Sequence, residues 1–210
     1  TASTPQLAKQ YAANIENAFN DAHAKIKIDN VEYDVQFKIV GVDVSKIGGK
    51  YNEKAVKTVI NKNKDIRNNF IRLEKETDEI WSGTSYSDDN EGRGGNTGYW
   101  GTDQIEKNEG TTASHEHNHL LGGLGHPENL DPNGGNLDQD PSIDMTIYSY
   151  NYAKEKYRIK DKDGAVLMDV TKRKVFQKNI LSIFTNKVIK QLKTTGKANI
   201  GELTNEYHSK

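Results

Sequence analysis

The 210-residue sequence predicts a mixed α+β fold, and three observations carry that expectation. Apolar residues recur at helical spacing near both ends, they alternate strictly from Ile26 to Ile39, and a histidine-rich helix sits between two stretches rich in Gly and Asn. The length suits one domain or two tightly fused subdomains. No internal repeat and no clean linker divides the chain, so a single domain with a cleft is the simplest arrangement.

The elements follow in order. Thr4 can cap a first helix, Pro5 suits its first turn, and Leu7, Tyr11, Ile15, Phe19 and Ala22 recur at helical spacing. Ile26 and Ile28, a turn at Asp29-Asn30, then Val31, Tyr33, Val35, Phe37 and Ile39 predict a hairpin with one buried face. Gly48-Gly49 breaks the chain, and Asn52 caps a second helix carrying Ala55, Val56, Val59 and Ile60. Short strands are expected near 70–73 and 80–86, and residues 87–114 read as loop around Gly98-Tyr99-Trp100-Gly101. A short helix over 114–121 comes next, then a second glycine- and asparagine-rich stretch to Pro141. A hairpin is expected around Asp161-Lys162-Asp163-Gly164. One last long helix aligns Phe176, Ile180, Phe184, Val188 and Leu192 and ends at Gly196, and residues 197–210 read as a frayed tail.

Composition removes several function classes. With 29 basic and 30 acidic residues the net charge is -1, so no basic field exists to hold nucleic acid. Mean hydropathy is low at -0.86, yet the periodic apolar runs argue against a disordered chain. The absence of cysteine excludes disulfides, thiolate zinc sites and cysteine nucleophiles. No apolar stretch approaches the ~20 residues that a membrane span needs. Thr1-Ala2-Ser3-Thr4-Pro5 lacks the basic and apolar regions of a signal peptide, and the chain reads as a mature or excised fragment.

The chemistry is concentrated between residues 115 and 126. Four of the six histidines lie there, in His115-Glu116-His117-Asn118-His119-Leu120-Leu121-Gly122-Gly123-Leu124-Gly125-His126. Helical residues four apart lie about 40° apart around the axis, so His115 and His119 can offer two nitrogens to one ion. Glu116, about 100° round, can reach a water beside that ion as general base. Gly122 and Gly123 permit a positive-φ turn, after which His126 can fold back as third ligand. Three histidines leave a coordination position open, which suits catalysis better than a closed structural site. His117 faces away from the pair and is read as a surface or second-shell imidazole, and His23 and His208 as isolated side chains.

The run His115-Glu116-x-x-His119-x-x-Gly122 followed by His126 resembles the zinc-binding signature of the metzincin clan of metalloendopeptidases. The third histidine comes seven residues after the second, where the clan has six. Pro141-Ser142-Ile143-Asp144-Met145-Thr146-Ile147-Tyr148 is similar to the clan's methionine turn beneath the metal. Tyr148 matches, one residue late, a tyrosine that in some members ligates zinc or stabilises the oxyanion. The resemblance covers about 115–148 and implies a metzincin-like mixed twisted sheet, an active-site helix and a C-terminal helical subdomain. It implies an N-terminal subdomain of about 1–122 and a second of about 123–210. It also implies one catalytic zinc ion and a protein or peptide substrate lying as an extra strand along a sheet edge, with 98–101 expected as part of that rim.

Other readings remain open. Glu155 could replace His126 as third ligand, in a different zinc hydrolase. A non-catalytic, metal-stabilised binding module would not need Glu116. Asp131, Asn133, Asn136, Asp138 and Asp140 could hold calcium, but their spacing fits no helix-loop-helix calcium site and a solvated turn is preferred. The fragment-like start and compact size resemble metallopeptidase toxin domains of bacterial polymorphic toxins. That implies secretion or delivery into a target cell, with an immunity or inhibitor protein as partner, while a secreted digestive or virulence peptidase fits the same motif.

Overall fold

The computed structural model of the chain describes residues 3–47, 50–75, 83–84, 94–102, 111–122, 174–175 and 177–208. Over these residues the protein is a mixed α+β structure with small sheets and several helices. Helix α1 spans Pro5–Asn20, and the Thr4 hydroxyl accepts the Leu7 N–H at 3.1 Å, a cap generally worth ~1 kcal/mol. Its buried face carries Tyr11, Ala12, Ile15 and Phe19.

Strands β1 (Lys25–Ile28) and β2 (Val31–Asp34) form an antiparallel hairpin. Asp29 and Asn30 turn it with φ of 49° and 66°, the left-handed pair that a two-residue hairpin loop requires. The expected buried face is only partly formed in this hairpin, since Ile26 and Ile28 are half-buried whereas Val31 and Tyr33 are 52% and 50% exposed. The alternation continues after it. From Val35 to Ser45 the odd-numbered residues turn inward and the even-numbered ones outward, without a strand ladder. Side chains of α1 satisfy part of this backbone instead. Asn20 donates to Phe37 O at 3.0 Å and accepts from Phe37 N–H at 2.8 Å, and Glu16 accepts from Ile39 N–H at 2.7 Å. The segment then crosses α1 so closely that a Cβ on Gly41 would lie 2.0 Å from Ala8 O.

Strands β3 (Lys46–Ile47) and β4 (Lys50–Tyr51) pair antiparallel ahead of helix α2 (Glu53–Lys62). The Asn52 side chain caps α2 by accepting from Ala55 N–H at 3.0 Å. A three-stranded sheet follows from β5 (Phe70–Glu74), β6 (Gly83–Thr84) and β7 (Thr97–Gly101) in the order β5-β7-β6. Strand β7 is parallel to β5 and antiparallel to β6. Residues 98–101, expected in a loop at the rim, are therefore a central strand. Their small glycines and paired aromatics suit a strand buried on both sides, which the local Gly and Asn content concealed.

Helix α3 (Thr111–Leu120) packs on α1 and touches β6. Two shorter helices, α4 (Gln177–Leu181) and α5 (Asn186–Thr195), stand where one long helix was expected. The break follows from polar side chains that compete for the backbone. Ser182 Oγ donates to Asn179 O at 2.6 Å, and Thr185 starts a new helix by capping Val188 N–H. Gly196, in the left-handed region at φ 69°, ends α5. One apolar cluster joins α1, β5, β7, α3 and α4, with Phe19, Ala113 and Ile180 fully buried. No helix among the described residues is long and apolar enough to cross a membrane.

Residues 199–208 are not frayed. Asn96, 1% exposed, accepts from Thr204 N–H at 2.9 Å and Asn205 N–H at 2.8 Å, and donates to Asn205 Oδ1 at 2.9 Å. Arg72 donates to His208 O at 2.7 Å, and Tyr51 and Tyr207 share a hydroxyl–hydroxyl bond of 3.0 Å. Polar sequence misled here because this segment is anchored by side-chain amides and not by an apolar stripe.

Candidate functional site

Helix α3 positions His115, Glu116 and His119, which are 1%, 6% and 3% exposed. The helix is buried on nearly every side, because α1 packs along it and β6 meets it. Its four-residue spacing brings the two imidazoles together. His115 Nε2 and His119 Nε2 lie 3.2 Å apart, with the ring planes at 88°.

That separation has two chemical readings. It is the length of an N–H···N hydrogen bond between imidazoles. It is also close to the bite of a tetrahedral metal, since Zn–N bonds of 2.0–2.1 Å set ligand nitrogens about 3.3 Å apart. The separation of the two Nε2 atoms is thus compatible with a shared zinc ion. The described residues hold no group of three or more His, Asp or Glu side chains that could bind a metal. His126, expected as third ligand, Tyr148, Met145 and the alternative ligand Glu155 all lie outside the described residues, as does the run from Asp131 to Asp140. The hairpin expected around 161–164 lies there too.

His117 turns away from the pair, but into the core and not to the surface. It is 7% exposed and meets Phe19 edge-on, with ring centroids 5.6 Å apart. Burial holds its pKa down to about 4, so it is neutral at physiological pH. Beside it Asn118 is completely buried, and neither its Nδ2 nor its Oδ1 has a hydrogen-bond partner among the described residues. A cavity of about 660 Å³ lies behind α3, lined by His117, Trp100 and residues of α1. His117, Leu120 and Leu121 line it from the helix side, and His115 and His119 do not.

The helix ends as the glycine pattern suggests. Gly122 N–H bonds to His119 O at 2.9 Å, and Gly122 takes φ 73°. What the sequence reading missed is the company this glycine keeps. Gly94 (φ 68°) and Gly201 (φ 77°) meet it there, and a Cβ on Gly94 would lie 2.9 Å from Gly201 Cα and 3.2 Å from Gly122 N. Glu202 N–H bonds to Gly94 O at the same place. Isolated glycines in polar surroundings read as turns, so only a shared positive φ could have hinted at the junction. His23 is exposed, whereas His208 bonds through Nε2 to Thr97 Oγ1 at 3.1 Å and stacks near Tyr99. No protein family, curated protein or solved structure matches the chain.

Proposed function

We propose that the protein is a zinc-dependent endopeptidase of the metzincin type. The observation that carries this reading is the facing pair of Nε2 atoms, 3.2 Å apart, with Glu116 next in sequence on the same buried helix. His126 is the proposed third ligand and Tyr148 a proposed oxyanion donor, both from the resemblance of 115–148 to the clan. A zinc ion held by His115, His119 and the proposed His126 would polarise a peptide carbonyl and acidify a water. The Glu116 carboxylate takes the water's proton and delivers it to the leaving amine nitrogen, a transfer generally worth roughly 10²–10⁴-fold in rate. His115 and His119 can ligate only as neutral imidazoles.

The sheet supports the same reading. An extended substrate adds to a strand edge through backbone hydrogen bonds. Strand β7 has neighbours on both sides, so among the described residues the sheet edges are β5 and β6, and β6 is the edge that touches α3. The edge and the histidine helix are thus adjacent.

The deciding experiment compares wild type with Glu116→Gln on an unfolded protein substrate, with zinc content measured for both. Wild type should hold about one zinc per chain and cleave. Glu116→Gln should keep its zinc and lose at least 100-fold in rate. Equal cleavage by both would end this mechanism. Zinc bound by a wild type that cleaves nothing would favour a metal-stabilised binding module or a single narrow protein target. Zinc titration of His126→Ala and Glu155→Ala identifies the third ligand, and the His126 variant is expected to be the weaker binder.

A further inference from the structure

Helix α3 ends in a junction where three chain segments meet through glycines that all occupy the left-handed region. Gly94 leads into β7, Gly122 ends the histidine helix, and Gly201 belongs to the segment after α5. The contact is backbone against backbone. A Cβ on Gly201 would lie 2.8 Å from Leu120 O and 2.9 Å from Gly94 O, distances no real side chain accepts. Leu120 is the neighbour of His119, so the segment presses on the last turn of the helix at the residue beside a candidate ligand.

The segment is held there from further along. Glu202 N–H bonds to Gly94 O, and Thr204 Oγ1 and Asn205 N–H bond to the buried Asn96 side chain at 3.1 and 2.8 Å. His208 Nε2 to Thr97 Oγ1 at 3.1 Å and Arg72 to His208 O at 2.7 Å complete the attachment to β7 and β5. The same sheet therefore fixes both the strap and, through it, the end of the helix. Such fixation bears on the last turn of α3, the turn that carries His119.

We propose that residues 199–205 are a positioning strap for the metal-binding helix, acting through Gly201 on the Leu120 carbonyl to set the height of His119. This rests on reading His115 and His119 as metal ligands. Groups that orient ligands without binding the metal are generally worth roughly 10–100-fold in metal affinity. The strap is in that position.

Glycine substitution gives a test with an internal control. Gly196 also sits in the left-handed region, at φ 69°, but an added Cβ there meets nothing within 4 Å. Gly196→Ala therefore carries backbone strain alone, whereas Gly201→Ala carries strain plus collision with Leu120 O. The measurements are zinc affinity by chelator competition and the visible spectrum of the cobalt-loaded protein, which reports coordination geometry. Gly201→Ala should bind zinc roughly 10–100-fold more weakly and change the cobalt spectrum. Gly196→Ala should match wild type in both. Thr204→Val, which removes hydroxyl bonds at Asn96 without touching the helix, should shift both in the direction of Gly201→Ala by a smaller amount, and covers the case in which Gly201→Ala does not fold. Wild-type affinity and spectrum in folded Gly201→Ala, or in Thr204→Val where that variant alone folds, would overturn the strap and leave the metal reading standing. A wild type that takes up neither zinc nor cobalt would overturn both.

Discussion

His115 and His119 face one another because a spacing of four needs only helical periodicity, and that much could be read from twelve consecutive residues. Their neighbour Asn118 could not. Its complete burial depends on α1 and the sheet closing around α3, and nothing in its local sequence announces that. A buried amide without partners forfeits solvation worth ~1–3 kcal/mol. Replacing it with an apolar side chain of similar length should recover part of that cost. Asn118→Leu is expected to raise unfolding free energy by about 1 kcal/mol, measured by urea denaturation, with zinc uptake unchanged. Lower stability would mean that the amide is bonded in the folded protein. The opposite error concerned His117, where a polar residue type suggested surface and the helix turned it into the core.

Elements were legible where a local signal defines them. Thr4-Pro5 and Asn52 mark the starts of α1 and α2, and Asp29-Asn30 marks the first hairpin, because caps and left-handed turns depend on a few adjacent residues. The alternation from Val35 to Ser45 was legible as extended chain but not in its partner. It reads the surface of α1 through Asn20 and Glu16. Glu16 makes that attachment sensitive to acid. The Ile39 N–H, then Lys38, hold its carboxyl below the ordinary glutamate range. A depressed folded-state pKa stabilises above the unfolded value and loses that stabilisation as pH falls through the folded value. Glu16→Gln should therefore lower the urea midpoint at pH 7, with the difference from wild type shrinking as pH falls below the ordinary glutamate range. A pH-independent difference would assign the effect to packing.

At the scale of the whole molecule, the α+β class was legible from the mixture of periods, whereas the strand order β5-β7-β6 and the attachment of residues 199–208 were not. Both depend on pairings between residues far apart in sequence, and a polar segment anchored by asparagines carries no periodic mark. The metal reading has a consequence at this scale. A ligand that binds the folded state and not the unfolded one stabilises by about 2.7 kcal/mol when present at 100 times its Kd. For a chain of this length that corresponds to a Tm rise of roughly 5–10 °C. Zinc should produce such a rise in wild type, a chelator should reverse it, and His115→Ala should show neither. A wild-type melting curve indifferent to zinc would count against an ion at the histidine pair.

The Asn96 anchor also imposes an order of events on biosynthesis. Its partners at Thr204 and Asn205 lie 108 and 109 residues further along the chain. At translation speeds of roughly 5–20 residues per second, that amide waits on the order of 5–20 s for them. From the synthesis of Leu120 until that of Gly201, Leu120 O lacks its partner segment, and the helix bearing His115 and His119 has no strap behind it. Core residues of α1, β5 and α3 have left the ribosome long before. The nascent chain thus passes through a stage with α1, β5, β7 and α3 synthesised and its histidine helix unsecured, and it acquires the finished geometry only once α4 and residues 199–208 have emerged.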